Sequence, residues 1–355
     1  MTASPARRIL VTGGGGFLGL EIVRQLCAAG DEVRTFSRQS YAELTALKVE
    51  QHRGDIADAL AVAKAVAGMD AVIHAAAKPG ISGAYPDYYR ANVLGCAAVI
   101  DACRQHGVSK LVYTSSPSVA YAGLDQNGVD ESTPYPRRFL AHYAKTKALG
   151  EQLIIAANSP QLQTVALRPH LIWGPGDQHL MPRLLERARS GRLRLLGNGM
   201  NLVDAVYIDN AAAAHLLALD ALEPGSCAAG KAYYISNDEP WPLQDVINGI
   251  LAAGGLPPVT KRVPARLGYA IAAVVEGVHA LFRLKGEPPL TRFAARQLAT
   301  SHWYNIAAAK RDLNYAPHIS MHEGMARLAR SQGQANIQPS SSPAEQKQIM
   351  DPSAV

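Results

Sequence analysis

The sequence predicts an α/β fold: a doubly wound parallel sheet followed by a smaller, mostly helical C-terminal substrate domain. Three observations carry this. A strand-like run, Arg7-Arg8-Ile9-Leu10-Val11-Thr12, delivers a glycine-rich turn and then a helical pattern that stops at Gly30. Short apolar runs keep alternating with helical stretches as far as Pro169, the order that builds parallel sheets. Tyr143 and Lys147 stand four apart at the head of a helical pattern, so they share one face about one turn apart.

The glycine turn is Gly13-Gly14-Gly15-Gly16-Phe17-Leu18-Gly19. Gly13, Gly16 and Gly19 let the chain turn tightly and let a pyrophosphate approach the N–H groups at a helix N-terminus, with Phe17 and Leu18 in the same turn. A merely flexible turn is the plain alternative, and the strand–turn–helix context argues against it. The second strand, Glu32–Phe36, ends at Ser37-Arg38, where an acidic residue would hold the ribose 2′-OH of NAD. Serine and arginine suit a 2′-phosphate instead, so NADP(H) is the expected cofactor and NAD(H) stays open.

Gly54-Asp55-Ile56 follows a short third strand. The fourth runs from Asp70 into Ala75-Ala76-Ala77, small residues that leave room for a dinucleotide beside the backbone. His74 reads as a packed histidine, because no partner stands at metal-ligand spacing, and no metal site is predicted. Lys110–Ser116 is the fifth strand, and its carboxyl end should share the sheet edge with the glycine turn. Gln163–Pro169 is the sixth, ending in Pro169 before the turn-rich loop His170–Asp177.

A phenol with a pKa near ~10 is a poor acid at neutral pH. A fixed ammonium such as Lys147 beside Tyr143 would favour the phenolate and bring proton transfer into range. A serine hydroxyl at the fifth strand's end would donate to a carbonyl oxygen as charge develops there.

Charge and cysteines narrow the class. Net charge +6 and a pI near 9.1 are mildly basic, but Lys and Arg are spread out with no nucleic-acid module, so nucleic acid is not an expected partner. Cys27, Cys96, Cys103 and Cys227 show no metal or disulfide spacing, as in a reducing compartment. With no apolar leader after MTASPARR, a cytoplasmic protein is expected.

Past Asp177 the pattern loosens. Residues 7–176 read as the cofactor domain, with elements near 203–237 interleaving, 177–330 as the substrate region, and 331–355 as a disordered tail rich in Ser, Gln and Pro. Arg183, Arg187 and Arg189 read as a solvated helix face, and Asp209 as a helix cap or anchor. In 264–284, Ile271, Val274, Val275, Val278, Leu281 and Phe282 fall on one helix face between basic flanks. Burial of that face in the small domain is the favoured expectation. An interfacial helix making peripheral membrane contact, or a lid over a greasy substrate, is the alternative. Arg292 is a candidate carboxylate partner.

The GxxGxxG turn together with Tyr143-Ala144-Lys145-Thr146-Lys147 resembles the extended short-chain dehydrogenases/reductases, whose cofactor domain is Rossmann-type. Leu111–Ser115, Val165–Pro169, Leu171–Asp177, Asn201–Asp204 and Pro289–Phe293 resemble the 3β-hydroxysteroid dehydrogenase branch and, more narrowly, bacterial 2-alkyl-3-oxoalkanoate reductases of long-chain olefin biosynthesis. The resemblance implies an oxidoreductase that reduces a hydrophobic β-keto acid with NADPH. It implies a catalytic Ser116, with Ser115 as fallback, beside Tyr143 and Lys147. Asp55, Ile56, Asn92, Ser115, Pro169, Tyr143 and Lys147 then join the cofactor site. It also implies a homodimer and an assembly with pathway enzymes. Sterol dehydrogenases and sugar-nucleotide epimerases share these motifs, and a non-catalytic NADP-binding regulator would not need the three catalytic groups.

Overall fold

The computed structural model describes residues 6–80, 83–178, 180–282, 284 and 288–337. Seven strands form the main sheet: β1 (Arg8–Thr12), β2 (Glu32–Ser37), β3 (Glu50–Arg53), β4 (Ala71–His74), β5 (Lys110–Thr114), β6 (Gln163–Pro169) and β7 (Lys231–Ile235). Their order is β7-β6-β5-β4-β1-β2-β3, and every pair is parallel. The order reverses between β1 and β4, and open α/β sheets bind ligands at the strand ends beside such a reversal.

Alternation along the strands builds a core on each face. Ile9, Val11, Ile73, Val112 and Val165 pack with Ile22 and Leu26 of α1 (Phe17–Ala28), and with Ala211, Ala214 and Ala218 of Ile208–Ala221. Leu10, Val72, Leu111 and Ala166 point the other way, against Val99, Ala102 and Cys103 of α2 (Gly95–His106) and Ile154 of α3 (His142–Ala156). Ile208–Ala221 is α4. Its first-turn Asp209 pairs with Arg327 at 3.1 Å, an anchor as expected, while Tyr207 occupies the cap position. All four cysteines are free.

The second half adds α5 (Leu243–Ala253), α6 (Ala265–Leu281), α7 (Arg292–Ala299) and α8 (Met321–Ile337). Beside them lies a four-stranded sheet ordered Trp241–Pro242, Leu202–Val203, His302–Tyr304, Gln126–Val129. Gln126–Val129 is lent by the first half and β7 is returned by the second, so the halves interlock. Trp173, Met181, Ile247, Met321 and Leu328 form this part's core.

Two expectations are corrected. Helix α8 continues through 331–337, where disorder was expected, because it is anchored by the fully buried Met321 and Leu328; residues 338–355 lie outside the described residues. The apolar face of α6 is not buried: Ile271, Val274 and Val278 are 44, 66 and 42 % exposed, and Leu281 and Phe282 are 77 and 66 %. The helix packs instead through small residues, with Ala272 fully buried and Gly268 so close to Leu196 that a Cβ would meet it at 2.6 Å. Arg283 and Lys285 of its basic flank lie outside the described residues. Among the described residues no helix is long and apolar enough to cross a membrane.

Candidate active site

The glycine turn closes over the carboxyl ends of β1 and β4. Gly13 has φ +74°, and a Cβ there would lie 2.9 Å from the Ala76 backbone. At Gly19 a Cβ would stand 2.2 Å from the Gly13 carbonyl oxygen, so no larger residue fits. Gly16 precedes α1 without a capping side chain, which leaves the helix's first N–H groups facing outward. Thr12 fastens the neighbouring stretch: its carbonyl accepts the Ala75 N–H at 3.2 Å, and its hydroxyl oxygen accepts that of Ala76 at 3.2 Å. This bare backbone cradle fits a pyrophosphate at a helix N-terminus.

At the end of β2, the Ser37 hydroxyl oxygen is buried without a partner among the described residues, and Arg38 is exposed. Arg38, Arg53, Gly54 and Asp55 line an open cavity of about 440 Å³. Asp55 is held below its usual range, first by the Ala57 N–H and then by Arg90, whose guanidinium lies 3.1 Å away. A buried hydroxyl in need of a partner and two arginines form a donor set that suits a phosphorylated ribose. Ile56 packs against Gly95, at the start of α2, rather than standing free.

Asn92 occupies a π-helical turn, Arg90–Leu94. Its amide is committed within the protein: Oδ1 accepts the Lys78 N–H at 2.8 Å, and Nδ2 donates to the Lys78 carbonyl and to Thr146 Oγ1. It ties the loop after β4 to α3, so it supports the site rather than presenting a free donor. His74 is likewise a core residue, bonded to Thr12 at 2.7 Å and near Cys96, and burial pulls its pKa down to about 3.

β5 and α3 bring the three predicted catalytic residues together. Ser116 begins the 3₁₀ turn Pro117–Ala120, half-buried, with its hydroxyl 2.9 Å from that of Ser118. Ser115, by contrast, is buried with its hydroxyl unpartnered, its N–H held by the Leu167 carbonyl at 2.6 Å. Burial pushes the Tyr143 phenol up, and the Ser116 hydroxyl, bonded to it, pulls it back. Ser116 is therefore the serine that meets the phenol.

Lys147 is buried. Its ammonium donates to the Thr114 carbonyl at 2.6 Å and lies 4.1 Å from the centre of the Tyr113 ring. Ser116 favours the charged form of the Tyr143 phenol against its burial. Burial draws the ammonium itself down to about 8, against the pull of Cys96 and Glu151.

Two features escaped the sequence. Glu151, one turn past Lys147, is fully buried and takes both bonds of Arg168 at 2.6 and 3.0 Å, with the Tyr135 hydroxyl at 2.7 Å. After Pro169, the His170 ring meets His302 at 2.7 Å, locking the end of β6 to the small sheet. Neither pair has a local signal, since its members stand 17 and 132 residues apart. Arg292, expected to hold a substrate carboxylate, is instead engaged by Glu276 of α6, which also accepts its N–H at 3.0 Å.

The sequence profile of the 3-beta hydroxysteroid dehydrogenase/isomerase family matches residues 10–261. A 2-alkyl-3-oxoalkanoate reductase of Stenotrophomonas maltophilia is 54% identical over 327 residues, 91% of this chain and 99% of its own. The decarboxylating sterol-4-alpha-carboxylate 3-dehydrogenase of Mus musculus is 33% identical over 92% of this chain and 91% of its own. Among solved structures, MoeE5 in complex with UDP-glucose and NAD matches with a TM-score of 0.71 at 24% identity, over 93% of this chain and 99% of its own. That last likeness is one of fold.

Proposed function

The chain belongs to the 3-beta hydroxysteroid dehydrogenase/isomerase family, and from that premise we propose that it reduces a long-chain 2-alkyl-3-oxoalkanoic acid to the 2-alkyl-3-hydroxy acid with NADPH. The observation that carries this reading is the 54% identity, over nearly all of both chains, to a protein named for that reaction.

Gly13–Gly19, Ala75–Ala77, Ser37, Arg38 and Lys147 are the residues that would hold the dinucleotide, which when bound supplies the hydride. The Ser116 and Tyr143 hydroxyls receive the 3-keto oxygen. As that oxygen gains charge, Ser116 donates a hydrogen bond and Tyr143 delivers its proton. A phenol whose pKa is raised by burial holds that proton firmly until an alkoxide-like oxygen is present to take it. Lys147, one turn along the same helix, would favour the phenolate that is left.

Ser37, Arg38 and Arg53 support the preference for NADPH over NADH. The exposed stripe of α6 supports peripheral contact with a lipid surface, and flotation with anionic vesicles that is lost in Val274→Asp tests it. Olefin biosynthesis, a homodimer and an assembly with the enzymes that consume the hydroxy acid rest on the family relationship alone.

The test is loss of nicotinamide absorbance when purified protein meets NADPH and a racemic long-chain 2-alkyl-3-keto acid. Turnover of a steroid alcohol in place of the linear acid would transfer the assignment to the sterol dehydrogenases, a reading the 33% identical mouse relative supports.

A further inference from the structure

Helix α7 is clamped onto the stretch that begins at Ser116. Phe293 meets Tyr121 edge-on at 5.9 Å, and the Tyr121 hydroxyl lies 2.8 Å from that of Thr300, just past the helix. Between them, one turn after Arg292 on the inner side, Arg296 reaches the same stretch and donates to the Gly123 carbonyl at 2.9 Å. A Cβ at Gly123 would touch both the Arg296 side chain and Leu140, three residues before Tyr143.

This guanidinium lies among aromatic and backbone groups, and the nearby Asp125 carboxylate is taken by the Ser301 N–H at 2.8 Å. It stacks 5.0 Å from the centre of the Tyr269 ring. Its Nε is buried without a hydrogen-bond partner, and among the described residues Arg296 forms no ion pair. Three other cations of this region are already engaged: Lys147 by the Thr114 carbonyl, Arg168 by Glu151, Arg292 by Glu276. A half-buried arginine with spare donors and no counter-charge favours an incoming carboxylate, since the partner would relieve a desolvated charge.

We propose that Arg296 recognises the carboxylate of the substrate and so sets the enzyme's preference for keto acids over neutral ketones. This rests on the reductase reading above. A β-keto acid holds its carboxylate carbon two bonds from the carbon that is reduced, so the counter-ion must come from the walls beside Ser116 and Tyr143. Arg296 stands against both walls, the 116–123 stretch and Leu140. The two alkyl chains then follow the apolar surface of Leu140 and Tyr269. A bidentate arginine also fixes the plane of the acid and therefore the face of the carbonyl presented for reduction.

The test compares a long-chain 2-alkyl-3-keto acid with its methyl ester in wild type, Arg296→Gln, Arg296→Lys and the exposed-loop control Arg138→Gln. Calorimetric binding of the 2-alkyl-3-hydroxy acid and its ester runs alongside. The expected result is a KM for the acid raised about 10- to 100-fold in Arg296→Gln, partly recovered in Arg296→Lys, with ester kinetics and the Arg138→Gln control unmoved. An unchanged KM for the acid overturns the assignment. So does a parallel loss on acid and ester, which would make Arg296 a brace for the 118–123 loop. A wild type that binds the hydroxy acid through Arg296 yet reduces neither keto compound would instead sink the reductase reading and leave the carboxylate site standing.

Discussion

Replacing Arg38 by Ala should weaken NADPH binding while leaving NADH binding nearly unchanged. Arg38 is exposed at the end of β2 and shares its cavity with Arg53, beside the unpartnered Ser37 hydroxyl. A unit charge pair at 4 Å is worth ~1 kcal/mol in water and ~4 kcal/mol at an effective dielectric of 20. The cavity is open, so the lower end applies. With a 2′-phosphate carrying close to two charges, loss of Arg38 should cost about 2 kcal/mol, roughly 30-fold in Kd. Arg53 keeps part of the field, and Arg38→Ala/Arg53→Ala should lose more than either single change. The assay is titration of NADPH and NADH by nicotinamide fluorescence at low and high salt. The gap between wild type and variant should shrink as salt rises, because the charges are solvated. Equal losses for both nucleotides, or none for NADPH, would refute the assignment of this pocket to the 2′-phosphate.

Two further outcomes follow from buried charges. Glu151→Gln leaves the Arg168 guanidinium buried without its counter-charge, which should destabilise the protein by about 3 kcal/mol and lower Tm by about 4 °C. Glu151→Leu combined with Arg168→Met should restore most of that in thermal melts, and a single variant that melts like wild type would deny the pair its role. Lys147, with a folded pKa of about 8, loses its proton as pH rises through that value, so cofactor affinity should fall above it. Its folded pKa lies below the unfolded value near ~10.4, so its burial penalty is full below pH ~8 and fades between the two values. Stability should therefore gain a rising slope there, which Lys147→Met removes; an unaltered slope would assign the titration to another group.

Much of the cofactor half was legible because its signals are local. Short continuous apolar runs announce strands buried on both faces, and Gly13 and Gly19 are required by contacts with Ala76 and with each other that the turn itself creates. Ser116 and Tyr143 meet because β5 and the head of α3 converge on one sheet edge, which follows from strand order. What was not legible depends on partners distant in sequence. The 264–284 pattern revealed an apolar face but not what covers it, and α6 turns out to pack through Ala272 and Gly268 instead. Arg292 looked free until Glu276, sixteen residues earlier, was found on it. Spacing placed Lys147 on the face of Tyr143, but whether its charge is felt there depends on the Thr114 carbonyl and the Tyr113 ring, which belong to another element. Arg296 carried no motif at all; its place beside Gly123 and Leu140 links it to the site.

The measurement that bears most directly on the central claim pairs wild type with Tyr143→Phe. Both are given NADPH and a long-chain 2-alkyl-3-keto acid, with turnover followed by absorbance and nucleotide binding followed by fluorescence. The account predicts turnover in wild type, a fall of about 10³-fold or more in Tyr143→Phe, and nearly equal NADPH affinity in the two proteins. Undiminished reduction by Tyr143→Phe would contradict it, because the proton would then come from another group.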